Sequence, residues 1–121
     1  MLISDYFKEI EQEISSSRII VDAMINYMEF SKDEGMMRGR LLFIEGYVLD
    51  FMEYICIGKE RPKYRFHLMD KDNKMIFRYD NAPHHKISTF PHHKHIHNKI
   101  EPSKEIGLKE VLEEVKTIIL S

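Results

Sequence analysis

Cys56 is the only cysteine in the chain. That excludes an intramolecular disulfide, suits a reducing cytoplasm, and leaves Cys56 the expected role of a small buried hydrophobe. Long apolar runs are lacking as well: none approaches the ~18 residues of a membrane span, so a membrane is not expected as a partner. Acidic residues Asp5, Glu9, Glu11 and Glu13 interrupt the first apolar stretch, which argues against a secretory signal and again for the cytoplasm. There is little excess charge of either sign. Eighteen Lys and Arg against 20 Asp and Glu give a net charge of −2, which excludes a generally basic, nucleic-acid-coating surface and confines any basic surface to a patch. No cysteine pair and no His-Glu-x-x-His motif is present, and neither repeats nor a domain linker interrupt the chain. With 121 residues, 43% of them hydrophobic, it is read as one domain, residues 1–121, with enough apolar material for a core.

Periodicity sets out the elements. Ile3, Tyr6, Phe7, Ile10 and Ile14 recur at three- and four-residue spacing, which predicts a helix over 3–14. Ser4 is its expected cap, Asp5 suits its positive end, and Ser15 to Ser17 stop it. From Arg18 the period becomes two and predicts a long strand to Phe30. Further strands are expected over 36–44, 47–57, 63–69 and 74–79, with Glu45-Gly46 as a tight hairpin turn and 70–73 as an Asp/Asn turn. Connections this short force an antiparallel meander. Leu108, Val111, Leu112, Val115, Ile118 and Ile119 then form a helical stripe. The expected fold class is α+β: a five-stranded antiparallel meander sheet with an N-terminal and a C-terminal helix packed on one face.

Between the fifth strand and the last helix lies the stretch around which the chain is organised. Six of the seven histidines fall between His84 and His97, together with Lys86 and Lys94 and no acidic residue. Crowded imidazoles titrate near neutral pH and repel once protonated, so they make poor structural glue. Pro83 and Pro91 deny the segment a long helix or a central strand. It is read as a functional loop.

The residue types allow two chemistries. Acid–base cleavage of RNA by attack of the 2′-hydroxyl needs a base, an acid and cations for the charge on phosphorus. His84, His85, His92, His93 and His95 form the pool for the first two. Arg78 and Lys94 are the phosphate-binding candidates, and Asp80 can orient a histidine. Tyr79, Asn81, His67 and Glu53 complete the candidate substrate-binding set, and Tyr64, Phe66, Tyr79 and Phe90 offer stacking faces for bases. The alternative is a divalent transition metal on His93, His95 and His97, whose i, i+2, i+4 spacing points all three rings to one side of an extended segment; with the first chemistry no cofactor is needed. A bland reading stands beside both. Asp80 or Asn81 hydrogen-bonds its own backbone in a turn, Arg78 pairs with Asp80 or with an acid on a neighbouring strand, and two or three of the histidines are structural.

Phe77-Arg78-Tyr79-Asp80-Asn81-Ala82-Pro83-His84-His85, followed by Thr89-Phe90-Pro91-His92-His93-Lys94-His95, resembles the TumE family of small bacterial and archaeal toxins. Arg38-Gly39-Arg40-Leu41, Phe51-Met52-Glu53-Tyr54 and Tyr64-Arg65-Phe66-His67 with Asp70 are similar to its strand motifs, so the likeness runs over about 31–103. Lys86 stands where family proteins often carry proline. The resemblance implies a growth-inhibiting toxin neutralised by a helix-turn-helix antitoxin, with RNA as the target by analogy with other small toxins. A non-catalytic module that binds a partner protein or nucleic acid through the same loop is the alternative. A homodimer is compatible with a small sheet that has an open edge.

Overall fold

The structure, a computed structural model, describes residues 1–83 and 87–121. Helix α1 (Ile3–Ser16) leads into β1 (Ile20–Glu29), β2 (Glu34–Phe43), β3 (Val48–Cys56), β4 (Lys63–Met69), β5 (Met75–Asp80), β6 (His93–Ile96) and β7 (Lys99–Pro102), and α2 (Leu108–Leu120) closes the chain. The strands form one antiparallel sheet in sequential order from β1 to β7. The sheet therefore has seven strands where five were expected. The additional hairpin comes from the histidine segment: His93–Ile96 and Lys99–Pro102 pair with each other, and β6 adds to β5 through Arg78↔His95, Tyr79↔Lys94 and Asp80↔His93. Pro102 ends β7.

Alternation sorts the two faces. On β3 to β5, Leu49, Phe51, Glu53, Ile55, Tyr64, Phe66, Leu68, Phe77 and Tyr79 are buried, while the residues between them are only partly covered or exposed. Both helices lie on the buried face. Ile3, Tyr6 and Ile10 of α1 and Leu108, Val111, Val115 and Ile119 of α2 join the strands in a single core, and each such large side chain contributes about 1.5–3 kcal/mol when fully buried.

Helix α1 is capped by Asp5, whose carboxylate accepts from the backbone N–H of Leu2 at 2.9 Å; Ser4 has no part in it because the helix begins one residue earlier. At the β2–β3 turn, Glu45 and Gly46 both adopt positive φ, 64° and 84°, the conformation that twists a tight hairpin correctly. A side chain on Gly46 would also meet Cβ of Lys71 at 2.7 Å.

Among the described residues one carboxylate sits within the hydrophobic core. Glu53 is fully buried. It accepts from Tyr6 Oη (2.5 Å) on α1, from Arg61 Nε (2.9 Å) and from the backbone N–H of Leu108 (3.2 Å) at the start of α2. Burial raises its pKa, against the pull of Arg61 and the donors around it. Glu53 thus ties both helices to the sheet and does not face an open cleft.

Candidate functional site

The helix-free face gathers Arg78, Asp80, His93 and His95 of the candidate residues. Its antiparallel register lines up side chains in rows that cross the strands. One row runs Arg38, Met52, Arg65, Asp80, His93 from β2 to β6, and the next runs Arg40, Asp50, His67, Arg78, His95 over the same strands. The two rows meet their densest polar contacts where β5 pairs with β6.

Asp80 is the hub there. Its Oδ1 lies 2.7 Å from His93 Nε2 and accepts the backbone N–H of Ala82 at 3.1 Å; its Oδ2 accepts Arg78 Nε at 3.2 Å and lies 3.6 Å from His95 Nε2. The Ala82 contact is the local turn expected at 80–83. Arg78 also reaches His95, with Nη2 3.1 Å from Nε2. His93 and His95 pack edge to face, their centroids 4.8 Å apart. His93 is 1% exposed, and its Nδ1 lies 2.8 Å from the carbonyl oxygen of Pro91. His95 is more open. Next to Arg78 in the same row, His67 has its Nε2 buried with no hydrogen-bond partner among the described residues. Burial first, then the charges of Arg78 and Arg65, push the His67 pKa down.

The expected residues therefore divide. Arg78, Asp80, His93 and His95 converge, with His67 beside them. His92, Lys94 and Tyr79 point to the other face. His92 stacks on Tyr64, accepts or donates at Tyr64 Oη (2.7 Å), and contacts Glu60. Lys94 Nζ pairs with Glu114 Oε2 at 2.7 Å and lies over the Tyr79 ring, while Tyr79 Oη donates to Glu114 Oε1 at 2.5 Å. Asn81 is occupied with backbone: its Oδ1 accepts from Tyr64 N–H at 3.0 Å and its Nδ2 donates to the carbonyls of Arg61 and Pro62, both at 3.3 Å. Glu53 belongs to the core. Of the expected stacking rings, Tyr64, Phe66 and Tyr79 are core residues and only Phe90 is exposed. His84 and His85 lie outside the described residues.

The metal set changes in the same way. The extended segment ends at Ile96, and His97 enters the two-residue turn to β7 with a φ of 53°, so it leaves the side shared by His93 and His95. Asp80 takes its place: donor atoms of Asp80, His93 and His95 all lie within 4.8 Å of one another.

Two residues outside the candidate list stand out. Arg38 and Arg65 are exposed and, among the described residues, their side chains make no hydrogen bond or ion pair. With Gly39, Asp50, Phe51 and Met52 they line a groove of about 300 Å³. The signal for them was present in the alternation of β2 and β4: once the meander is written in register, Arg65 falls opposite Asp80.

A small α+β protein with a covered and an open sheet face, and a carboxylate–guanidinium–imidazole cluster at the end of the open one, is the class that these features define. The family described as Toxin TumE matches residues 7–119, and the chain belongs to that family. No curated protein and no solved structure gives a match. Among the described residues no helix is long and apolar enough to cross a membrane.

Proposed function

We propose that this toxin cleaves RNA by metal-independent acid–base chemistry at the Asp80–Arg78–His95 cluster. The observation that carries the reading is the convergence of Arg78, Asp80, His93 and His95 at one end of the open sheet face.

His95 acts as the general base. In its neutral form Nε2 accepts from Arg78, so its lone pair already faces the guanidinium. A phosphodiester that draws Arg78 to its own oxygens releases that lone pair to take the 2′-hydroxyl proton. The 2′-oxygen then bonds to phosphorus, Arg78 stabilises the added negative charge, and the bond to the 5′-oxygen breaks as that oxygen is protonated. The products are a 2′,3′-cyclic phosphate and a 5′-hydroxyl. The acid is assigned to His84 or His85 on sequence grounds alone. His93 is too buried to touch substrate and serves as a positioning residue, with Asp80 holding it and Arg78 in place.

Family membership also supports an antitoxin partner. One of the helix-turn-helix type, or a second copy of the chain, would cover the site or add to the ten-residue edge strand β1.

A second reading is favoured by the close approach of the Asp80, His93 and His95 donors. The Pro91 carbonyl orients His93 as an outer-sphere acceptor orients a ligating imidazole, so a divalent transition metal would be held here. One assay separates the readings. End-labelled RNA incubated with purified protein, with and without chelator, yields cyclic ends in both conditions under the first. Cleavage lost with chelator and restored by one metal selects the second. Stoichiometric protection without any cleavage makes the protein a binding module and overturns both.

A further inference from the structure

The cluster occupies only one end of the open face; the other end presents charge of its own. Arg65 is the register partner of Asp80, and Arg38 lies two strands further along the same row, with Met52 between them. Neighbouring strands are about 4.8 Å apart. The two guanidiniums are therefore rooted roughly 10 Å from one another, and Arg65 a single strand from the cluster. Their neighbour Arg40 is neutralised by Asp50, with Nε to Oδ1 at 2.7 Å and Nη2 to Oδ2 at 3.1 Å. Among the described residues the side chains of Arg38 and Arg65 have no such partner, and the groove that they line opens between them. Two cations rooted one strand-width and three strand-widths from a site that handles a phosphodiester complement a chain with regularly spaced anions. Neither forms an ion pair with a described residue, in a protein whose total charge is slightly negative.

We propose that Arg38 and Arg65 bind the phosphates of a single-stranded RNA that crosses the strands of the open face and delivers its scissile phosphate to the Asp80–His95 end. This deepens the RNA reading above and rests on it. The strand is unpaired because in-line attack by a 2′-hydroxyl requires a backbone free to leave helical geometry. An unpaired strand can also lay its bases on the apolar surface of Met52 while its phosphates reach the arginines. Arg65 takes the phosphate next to the cluster and Arg38 one further out.

Binding is measured apart from catalysis with a fluorescent, unstructured 12-nucleotide RNA carrying 2′-fluoro groups, which lacks the attacking hydroxyl. Its anisotropy is followed with full-length protein over a salt series. Arg38→Ala with Arg65→Ala should weaken binding on the order of tenfold and flatten the dependence of log affinity on log salt by about 1.4, that is 0.7 for each lost phosphate contact on a single strand. Lys71→Ala with Lys74→Ala, at the β4–β5 turn, removes the same net charge and should leave both quantities nearly unchanged. Equal losses in the two double variants would overturn the path in favour of non-specific charge. So would a blunt RNA duplex competing as well as the single strand, or polyglutamate depending on the same arginines as strongly as RNA. Wild-type protein that fails to bind the oligonucleotide at low salt overturns it outright. Arginine-dependent binding by a protein that never cleaves natural RNA upholds the path and sinks the catalytic reading alone.

Discussion

His93 Nε2 stands 2.7 Å from Asp80 Oδ1 across the β5–β6 pair, while its other ring nitrogen faces the Pro91 carbonyl at 2.8 Å. Both nitrogens lie within hydrogen-bond reach of an acceptor, which fixes the ring in place. Asp80 holds the Arg78 guanidinium with its other oxygen. Asp80→Asn keeps the shape and removes the carboxylate charge. Toxicity in cells lacking an antitoxin, and single-turnover RNA cleavage, should fall by roughly 10²–10⁴, with the circular dichroism spectrum preserved. An Asp80→Asn protein as active as the parent would remove the cluster from the chemistry.

Neighbouring histidines should separate cleanly. His92 and His95 are three residues apart but face opposite sides of the sheet. His92→Ala strips Tyr64 Oη of a buried partner and should cost about 1–3 kcal/mol in urea unfolding, with RNA cleavage per folded molecule retained. His95→Ala should do the reverse: little change in the unfolding midpoint and loss of cleavage. Lys94→Met, which breaks the pair with Glu114 on α2, should group with His92→Ala. If His92→Ala alone abolished cleavage at full stability, the division by faces would be wrong.

That division was the part of the site hardest to read in advance. Period-two alternation marked β1 to β5 because their apolar residues repeat on one side. In His93–Ile96 the alternation runs between two kinds of polar residue, His93 and His95 against Lys94, so hydrophobicity carries no signal and the strand reads as loop. Asp80 was one of two partners that the sequence offered Arg78, the other being an acid on a neighbouring strand. The burial of Glu53 was not legible: a carboxylate between Phe51 and Ile55 looks like a functional residue on a core strand, and its partners Tyr6, Arg61 and Leu108 come from three separate segments, two of them far away in the chain. Arg65 and Arg38 were visible as residues but not as a row, because a row exists only once five strands are in register.

Arg61 tests the core charge. It is the cation nearest the buried Glu53 carboxylate and also reaches Glu105. Arg61→Ala leaves that carboxylate without a counter-charge, and unfolding free energy should drop by about 3–5 kcal/mol. Adding Glu53→Gln to Arg61→Ala should recover part of the loss, since the uncompensated charge is gone; the two effects are therefore not additive. Additive losses in the double variant, read from urea midpoints, would show that the cost of Arg61→Ala comes from lost packing instead.

His67 gives the fold a pH dependence of predictable sign. Burial and the flanking Arg78 and Arg65 hold its pKa below the ordinary value of 6.5, so the unfolded chain takes up a proton at His67 at a higher pH than the folded protein does. Stability at this residue is complete above about pH 6.5 and is lost as pH falls through the interval between the unfolded and the lower folded value. Urea midpoints should decline from pH 7.5 to 5.5, and the decline should be shallower in His67→Leu, which cannot titrate. The substitution also removes the unpartnered Nε2, so at pH 5.5 the variant should be the more stable of the two proteins. A decline of equal steepness in both would place the titrating group elsewhere, and a midpoint for His67→Leu below that of the parent at every pH would mean that the ring contributes packing that outweighs its depressed titration.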